Sequence, residues 1–464
     1  RILVAQATVE GVLLLPHDPS KQNNQRFQHR YYMDGPVVVG DTYNGSAWQT
    51  SLVATAGAGG RSVFALNVST PGAFAAGSLM WEISDLNSNL DVSVRDNIGH
   101  VLGKPVIVPL KDSSGAVSWK AIFGNGYDSK SKKAVLFVVD MQRAVGASSP
   151  GIRMITAEET GTSLPAGSNG LGNVVVVDRW GGAGQSSRVR DGFADTAYAA
   201  DQRGAVWKFD LRGTAKPARP VFTTATSVDS ADRLTYRQPI TGGLTATAGP
   251  SGGVMLLFGT GSFWFAGDQL DKAVQGLYGV NDVSDADPAT TLTPANLRRY
   301  AVTSTSAGVR RLAADTPPAN ARGWRVELPA GERAVGYPTV ASGIVFIPTY
   351  VPAASEQSCS VGGANWLYGL SSNSGEPALS QVRQGATKPV AGTAAVSLAT
   401  GGSAPVRDVN LSIIPRLAPP GPGKPGDPPP TPPGDVCLMQ ISVAGAEPMY
   451  LPYPCGRQSW RQIQ

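Results

Sequence analysis

Aspartates set around a tight turn are the residues of this chain best suited to chemistry. Asp191-Gly192-Phe193-Ala194-Asp195 puts two carboxylates on either side of a glycine, and Asp178 ends the valine run NVVVVD thirteen residues before Asp191. A hard cation such as calcium takes about six to eight oxygen ligands, and closely spaced aspartates on a glycine-kinked loop supply them. The compact spacing D-x-D-x-D-G-x-x-D would do this; DGFAD fits its second half, and Asp178 is placed to be the first ligand. No aspartate lies between Asp178 and Asp191, although Gln185, Ser186 and Ser187 offer further oxygens. The same residues also fit a surface loop in which Asp191 starts a turn.

Other constellations are weaker. His17, His29 and His100 are far apart and no CxxC is present, so a zinc site is not expected. GPSGG at 249–253 has the G-x-S-x-G form with Ser251 as nucleophile, but that elbow needs a strand before it and a helix after it. A proline precedes Ser251 and the strand-like VMLLFG follows, so a hairpin turn is expected. FGTGSFW at 258–264 lacks the third glycine of a dinucleotide fingerprint and reads as a strand-end turn. DVSDADP, with Asp282, Asp285 and Asp287, reads as a solvated acidic loop rather than a metal site.

The elements that must position these residues repeat along the chain. Five segments share an aromatic leading into an apolar strand: VFALNV, LFVVDM, VWKFDL, LYGVND and LYGLSS. Their aromatics are Phe64, Phe137, Trp207, Tyr278 and Tyr368, separated by 73, 70, 71 and 90 residues. Each follows a turn and another β-rich run (GPVVVG, GKPVIVPL, GLGNVVVVD, QPITGGL, GYPTVASGIVFIP). Between the two lies, in the first four copies, a third run ending at glycine (SLVATAGAGG, WKAIFGNG, TAYAADQRG, VMLLFGTG). Short strands in a repeat of this length describe one four-stranded sheet per repeat, and such sheets arranged radially make an all-β propeller with short, protected edges.

Composition agrees. Of 464 residues, 55 are Gly and 36 Pro, 42% are hydrophobic and 16% charged, which favours many turns, few long helices and a substantial core. The net charge of +5 is scattered, with no basic run of the kind that grips nucleic acid. No apolar run reaches the roughly 18 residues of a membrane-spanning helix. The chain starts with Arg, as expected of a fragment or mature form, and divides into a lead-in (1–34), a propeller (35–414), a proline-rich linker (415–436) and a tail hairpin (437–464). The stretch 371–414 reads as the poorly marked close of the propeller. Cys437 and Cys455 bound the tail and would be either a disulfide, which suits an exported protein, or two free thiols; Cys359 has no evident partner.

Taken in order, FQHRYYMDGPVVVGD, AGAGGRSVFALNV, IFGNGYDS, AADQRGAVWKFDL, QPIT, FGTGSFW and GERAVGYPTVASGIVFIPTYVP…CSVGGANWLYGL resemble successive signatures of one domain, over about residues 28 to 370. It is the C-terminal β-propeller of the type IV pilus tip adhesin and biogenesis factors, the PilY-type family. The resemblance implies a modified seven-bladed propeller, related in fold to quinoprotein dehydrogenases, with a calcium loop that regulates pilus extension and retraction. It implies an exported protein of the periplasm or outer surface of a Gram-negative bacterium. Its partners would be minor pilins of the tip or priming complex and host or abiotic surfaces, its roles pilus extension, twitching motility and attachment, and a further adhesive region would precede it. In the family loop Asp178 matches the first position, Asp191 the fifth and Asp195 the ninth. The third position has no counterpart, and the loop carries an insertion.

A second reading on the same fold is a dehydrogenase using pyrroloquinoline quinone. Such enzymes usually offer adjacent cysteines and a calcium-bound quinone in the central funnel. Here no two cysteines are adjacent, and only Ala65…Asn67…Trp81 loosely echoes their tryptophan-docking pattern. Fold alone does not decide between the two.

Overall fold

A computed structural model of the protein describes residues 31–454, apart from 113, 143–148, 159–167, 180–189, 213–216, 225, 229–234, 266, 284–290, 307, 354–362, 385–390, 401–403 and 415–435. Strands dominate, and Val92–Asn97 forms one short α-helix.

The first three blades are four-stranded meanders in chain order. They run from the inner strands Val37–Tyr43, Val106–Lys111 and Leu171–Val177 to the outer strands Leu79–Ser84, Ile152–Ala157 and Arg219–Thr223. A ten-stranded sheet holds the next two blades. One is Leu244–Ala248, Val254–Gly259, Gly276–Asp282 and Gly323–Glu327; the other is Thr339–Ala341, Ile344–Val351, Ala364–Ser371 and Ala395–Leu398. The hairpin Arg298–Ser306/Val309–Ala314 joins their outer edges, pairing in parallel with Gly323–Glu327 and antiparallel with Ala395–Leu398. This inserted hairpin accounts for the long spacing between Tyr278 and Tyr368.

The sixth blade is assembled from distant pieces. Its inner strand Val409–Ile414 pairs with Val436–Val443, which pairs with Met449–Pro454, and Arg383–Gln384 forms the outer edge. The tail hairpin is therefore packed into the sheet that it follows in sequence. The described residues form six blades where the resemblance implied seven. The five aromatic signatures all fall on the third strands of blades one to five.

Inner strands neighbour one another in chain order, from Val37–Tyr43 round to Val409–Ile414. Among the described residues five apolar cores lie between successive blades, centred on residues such as Trp81 and Phe123, Leu136 and Trp207, Tyr198 and Phe258, Trp324 and Ile347, and Phe346 and Ile441. Burying apolar faces on both sides of the second to fifth sheets explains why their strands read as near-continuous hydrophobic runs. On the outward face of the first blade Val37 and Val39 are exposed.

Turns between second and third strands are fixed by buried polar residues that also tie one blade to the next. Asn125 Oδ1 accepts from the backbone N–H of Val135 (3.0 Å) and of Leu171 on the following blade (3.0 Å). Asp201 accepts from Trp207 Nε1 (2.9 Å), Asn169 Nδ2 (3.1 Å) and the Ala205 N–H (2.8 Å), while Gly204 takes the positive φ (77°) that closes the turn. The D-x-x-G stretch in AADQRGAVWKFDL thus holds this turn.

Candidate functional site

The inner strand Leu171–Val177 ends at Asp178, and the next strand, Thr196–Asp201, starts after Asp195, so all three candidate aspartates lie on the first turn of the third blade. Gly192 at φ +88° allows the sharp return. Its N–H donates to Asp178 Oδ2 at 2.8 Å, and the Phe193 N–H donates to Asp191 Oδ1 at 3.1 Å. Gln185, Ser186 and Ser187 lie outside the described residues.

Asp178 and Asp191 suit a cation. Among the described residues, Asp178 Oδ1 is buried with no hydrogen-bond partner. Burial pushes the Asp178 carboxyl up; hydrogen bonds from the Gly192 and Asp191 N–H groups pull the other way, and the Asp191 charge adds to the rise. A cation of the protein's own is already present beside them. Lys111, the last residue of the neighbouring inner strand, brings Nζ to 3.3 Å from Asp191 Oδ2 and 5.0 Å over the Phe193 ring. Sequence gave no pointer to Lys111, because the pairing spans 80 residues.

Asp195 is engaged differently. It is buried, and both of its carboxylate oxygens accept from the Arg179 N–H (3.2 and 3.1 Å) while Thr196 Oγ1 donates to Oδ1 (2.7 Å). With the Asp195 N–H bonded to Val177 O, it staples the stem of the loop. Among the described residues no group of three His, Cys, Asp or Glu side chains is gathered to hold a metal ion. Asp178 and Asp191 thus meet at one turn beside the Lys111 ammonium, while Asp195 belongs to the stem of the loop.

The remaining candidates resolve as structure. Ser251, in the left-handed region at φ 56°, sits in the turn between Leu244–Ala248 and Val254–Gly259, as the hairpin reading expects. Asp282 departs from the solvated-loop reading, because it ends a buried strand with its side chain only 6% exposed and pairs with Lys208. Asp285 and Asp287 lie outside the described residues. His100 Nδ1 contacts Gly57 O at 3.0 Å; His17 and His29 are outside the described residues. Cys437 is opposite Tyr453 in the sixth blade, and Cys359 and Cys455 lie outside the described residues.

A second feature is axial. Segments leading into the inner strands converge with Tyr127 and Asn173 on a small cavity of about 10 Å³, room for a single water, whose lining includes Leu102, Thr241, Tyr337 and Arg407. Tyr127 and Tyr337 belong to the quoted IFGNGYDS and GYPTV signatures, whereas Arg407 lies in the stretch that sequence left unmarked.

Comparison with known proteins places this architecture. The family model of the PilY1 β-propeller domain matches residues 17–305. A type IV pilus biogenesis factor PilY1 homolog of Xylella fastidiosa is 36% identical over 95% of this chain and 30% of its own length. The type IV pilus biogenesis factor PilY1 of Pseudomonas aeruginosa is 28% identical over 76% of this chain and 31% of its own. The chain thus spans about 30% of the length of these curated relatives. The crystal structure of the Pseudomonas aeruginosa PilY1 C-terminal domain superposes with a TM-score of 0.62 at 23% identity, covering 92% of this chain and 84% of that one, which shows the shared fold.

Proposed function

The chain belongs to the PilY1 β-propeller family, and we propose from that membership that it is a non-enzymatic module of type IV pilus biogenesis. The supporting observation is identity of 36% running through 95% of the chain to a relative named for that role. In this reading the propeller is exported, works at the cell envelope or surface, engages minor pilins of the tip or priming complex, and promotes extension, twitching motility and attachment. No helix among the described residues is long and apolar enough to cross a membrane.

Calcium regulation is part of the proposal. Asp178 and Asp191 would hold the ion, which must compete with the Lys111 ammonium for Asp191. Bound calcium would supply a divalent charge that pins the loop, and Asp195 would keep the loop stem in place whether or not the ion is bound.

The direct test is deletion of the coding region in a piliated host, with restoration by the wild-type gene. Pilus number and twitching zone should fall on deletion and recover on restoration. Unchanged pilus number and twitching would reject the assembly role.

A further inference from the structure

We propose that loop 262–271 of the fourth blade is an axial clasp: it grips blades two and six across the centre of the disc and holds shut a ring that is open at one seam. The inference rests on the fold and is independent of the pilus role.

The seam lies between the sixth blade and the first. Each of the five apolar cores among the described residues joins one blade to the next in chain order, and none of them joins the sixth to the first. On the inner strand of blade one, Gly40 faces blade two, where a Cβ added to it would stand 3.8 Å from Ile107. Val37 and Val39 alternate with it onto the opposite face, toward the seam, and are 59% and 56% exposed. Apolar burial therefore ties blades one and six to one neighbour each, and every other blade to two.

The clasp leaves blade four after the strand Val254–Gly259 and returns to it at the strand Gly276–Asp282. Its shape is set from within. Arg333, only 2% exposed, donates from Nη1 to the carbonyls of Ser262 (3.0 Å) and Asp268, and from Nη2 to that of Asp271 (2.6 Å). Asp268 Oδ2 accepts from Ser262 Oγ (2.6 Å) and from the N–H groups of Trp264 (2.8 Å) and Phe265 (2.9 Å). Two consecutive aromatic residues are thus held in fixed positions by their own loop.

Their rings meet different blades. Phe265 packs edge-on against Tyr127 of blade two, with centroids 6.1 Å apart. Trp264 lies 4.3 Å from the guanidinium of Arg407, in the segment that enters blade six. Tyr127 and Arg407 both line the axial cavity, so the loop spans the axis. One further link crosses between the same two blades: Lys104, before the inner strand of blade two, pairs with Asp408, before that of blade six, at 3.3 Å. That ion pair is exposed and adds little by itself, so the two aromatic contacts carry most of the grip.

Hydrogen–deuterium exchange of the full chain, read by mass spectrometry, tests this. The double variant Trp264→Ala, Phe265→Ala keeps Arg333 and Asp268, and with them the frame of the loop. It should exchange about tenfold faster than wild type in Val37–Tyr43 and Val409–Ile414, the strands flanking the seam. Leu171–Val177 in blade three should keep its wild-type rate. Arg407→Met, which loosens one grip from the other side, is a milder form of the same test and should speed Val409–Ile414 by about two- to fivefold. Leu270→Ala, at a residue of the same loop that is 58% exposed, should leave the seam strands unchanged. Wild-type exchange at the seam strands in the double variant would overturn the proposal. So would an equal rise in Leu171–Val177, which would mean general destabilisation, or an equal effect of Leu270→Ala.

Discussion

Lys208 on the third strand of blade three and Asp282 at the end of the third strand of blade four form an ion pair of 2.9 Å, with side chains only 9% and 6% exposed. Tyr198 donates to the same carboxylate at 2.6 Å, and Arg179 Nη1 lies 3.6 Å from it. One aspartate thus answers two cations and a phenol across a blade interface. Removing one member of a buried pair leaves a charge uncompensated, at about 3–5 kcal/mol. Asp282→Ala should show that full loss in urea denaturation. Lys208→Met should lose less, because Arg179 remains; equal losses would mean that Arg179 does not share the charge.

The same carboxylate sets part of the acid limit. Burial alone would raise Asp282, but Lys208, Tyr198 and Arg179 outweigh it and hold the group below the ordinary carboxylate range. A carboxyl depressed in the folded state stabilises above its unfolded pKa, and that contribution is lost as pH falls through the folded value. The melting temperature of the wild type should therefore fall as pH drops below about 4. Asp282→Asn should start lower and show a shallower acid limb. An identical pH slope in the two proteins would show that Asp282 is not responsible.

How much of this was legible depends on the range of the interaction. The third strands could be read because burial on both faces leaves an unbroken apolar run with an aromatic, as in LYGV around Tyr278 and LYGL around Tyr368. The sixth blade could not, because its strands are separated by a proline-rich segment and its inner strand, VNLSII, alternates with polar residues. Asp282 looked like one of three solvated acids, since its partner Lys208 is 74 residues away. Lys111 and Arg407 escaped for the same reason: spacing shows which residues share a turn, not which cation a neighbouring blade brings to it.

For the aspartate loop, the competing ammonium gives the decisive comparison. Lys111→Met removes the resident cation and leaves Asp191 and the orphaned Asp178 oxygen to a metal. The variant should gain more thermal stability from calcium than the wild type does, approaching about 2.7 kcal/mol at a 100-fold excess over Kd. Asp178→Asn in the same background should abolish the gain. If neither protein shifts between millimolar calcium and a chelator, the loop does not take the ion.

Adding barium or magnesium to the Lys111→Met protein tests the kind of site. A flexible set of carboxylate oxygens accommodates large ions, while magnesium demands near-octahedral geometry and gives up water reluctantly. Calcium should therefore stabilise more than magnesium at equal concentration. A larger shift with magnesium would argue for a rigid six-oxygen cage that Asp178 and Asp191 alone do not supply.

Truncation tests whether the tail is an appendage or a blade. Strands Val436–Val443 and Met449–Pro454 contribute Met439, Ile441, Val443, Met449 and Leu451 to the core shared with Phe346, Leu367 and Leu379 of the fifth blade. Each large apolar side chain buried there stabilises by about 1.5–3 kcal/mol, and their joint loss approaches the whole stability of a typical domain. A chain ending at 414 would also leave Val409–Ile414 as an unpaired strand, open to pairing with other copies. It should be insoluble or melt far below the full chain, and supplying residues 436–454 as a separate peptide should partly restore it. A soluble truncated protein with an unchanged melting temperature would instead make the tail dispensable, and Ile441→Ala, expected to cost about 2–5 kcal/mol, would then be silent as well.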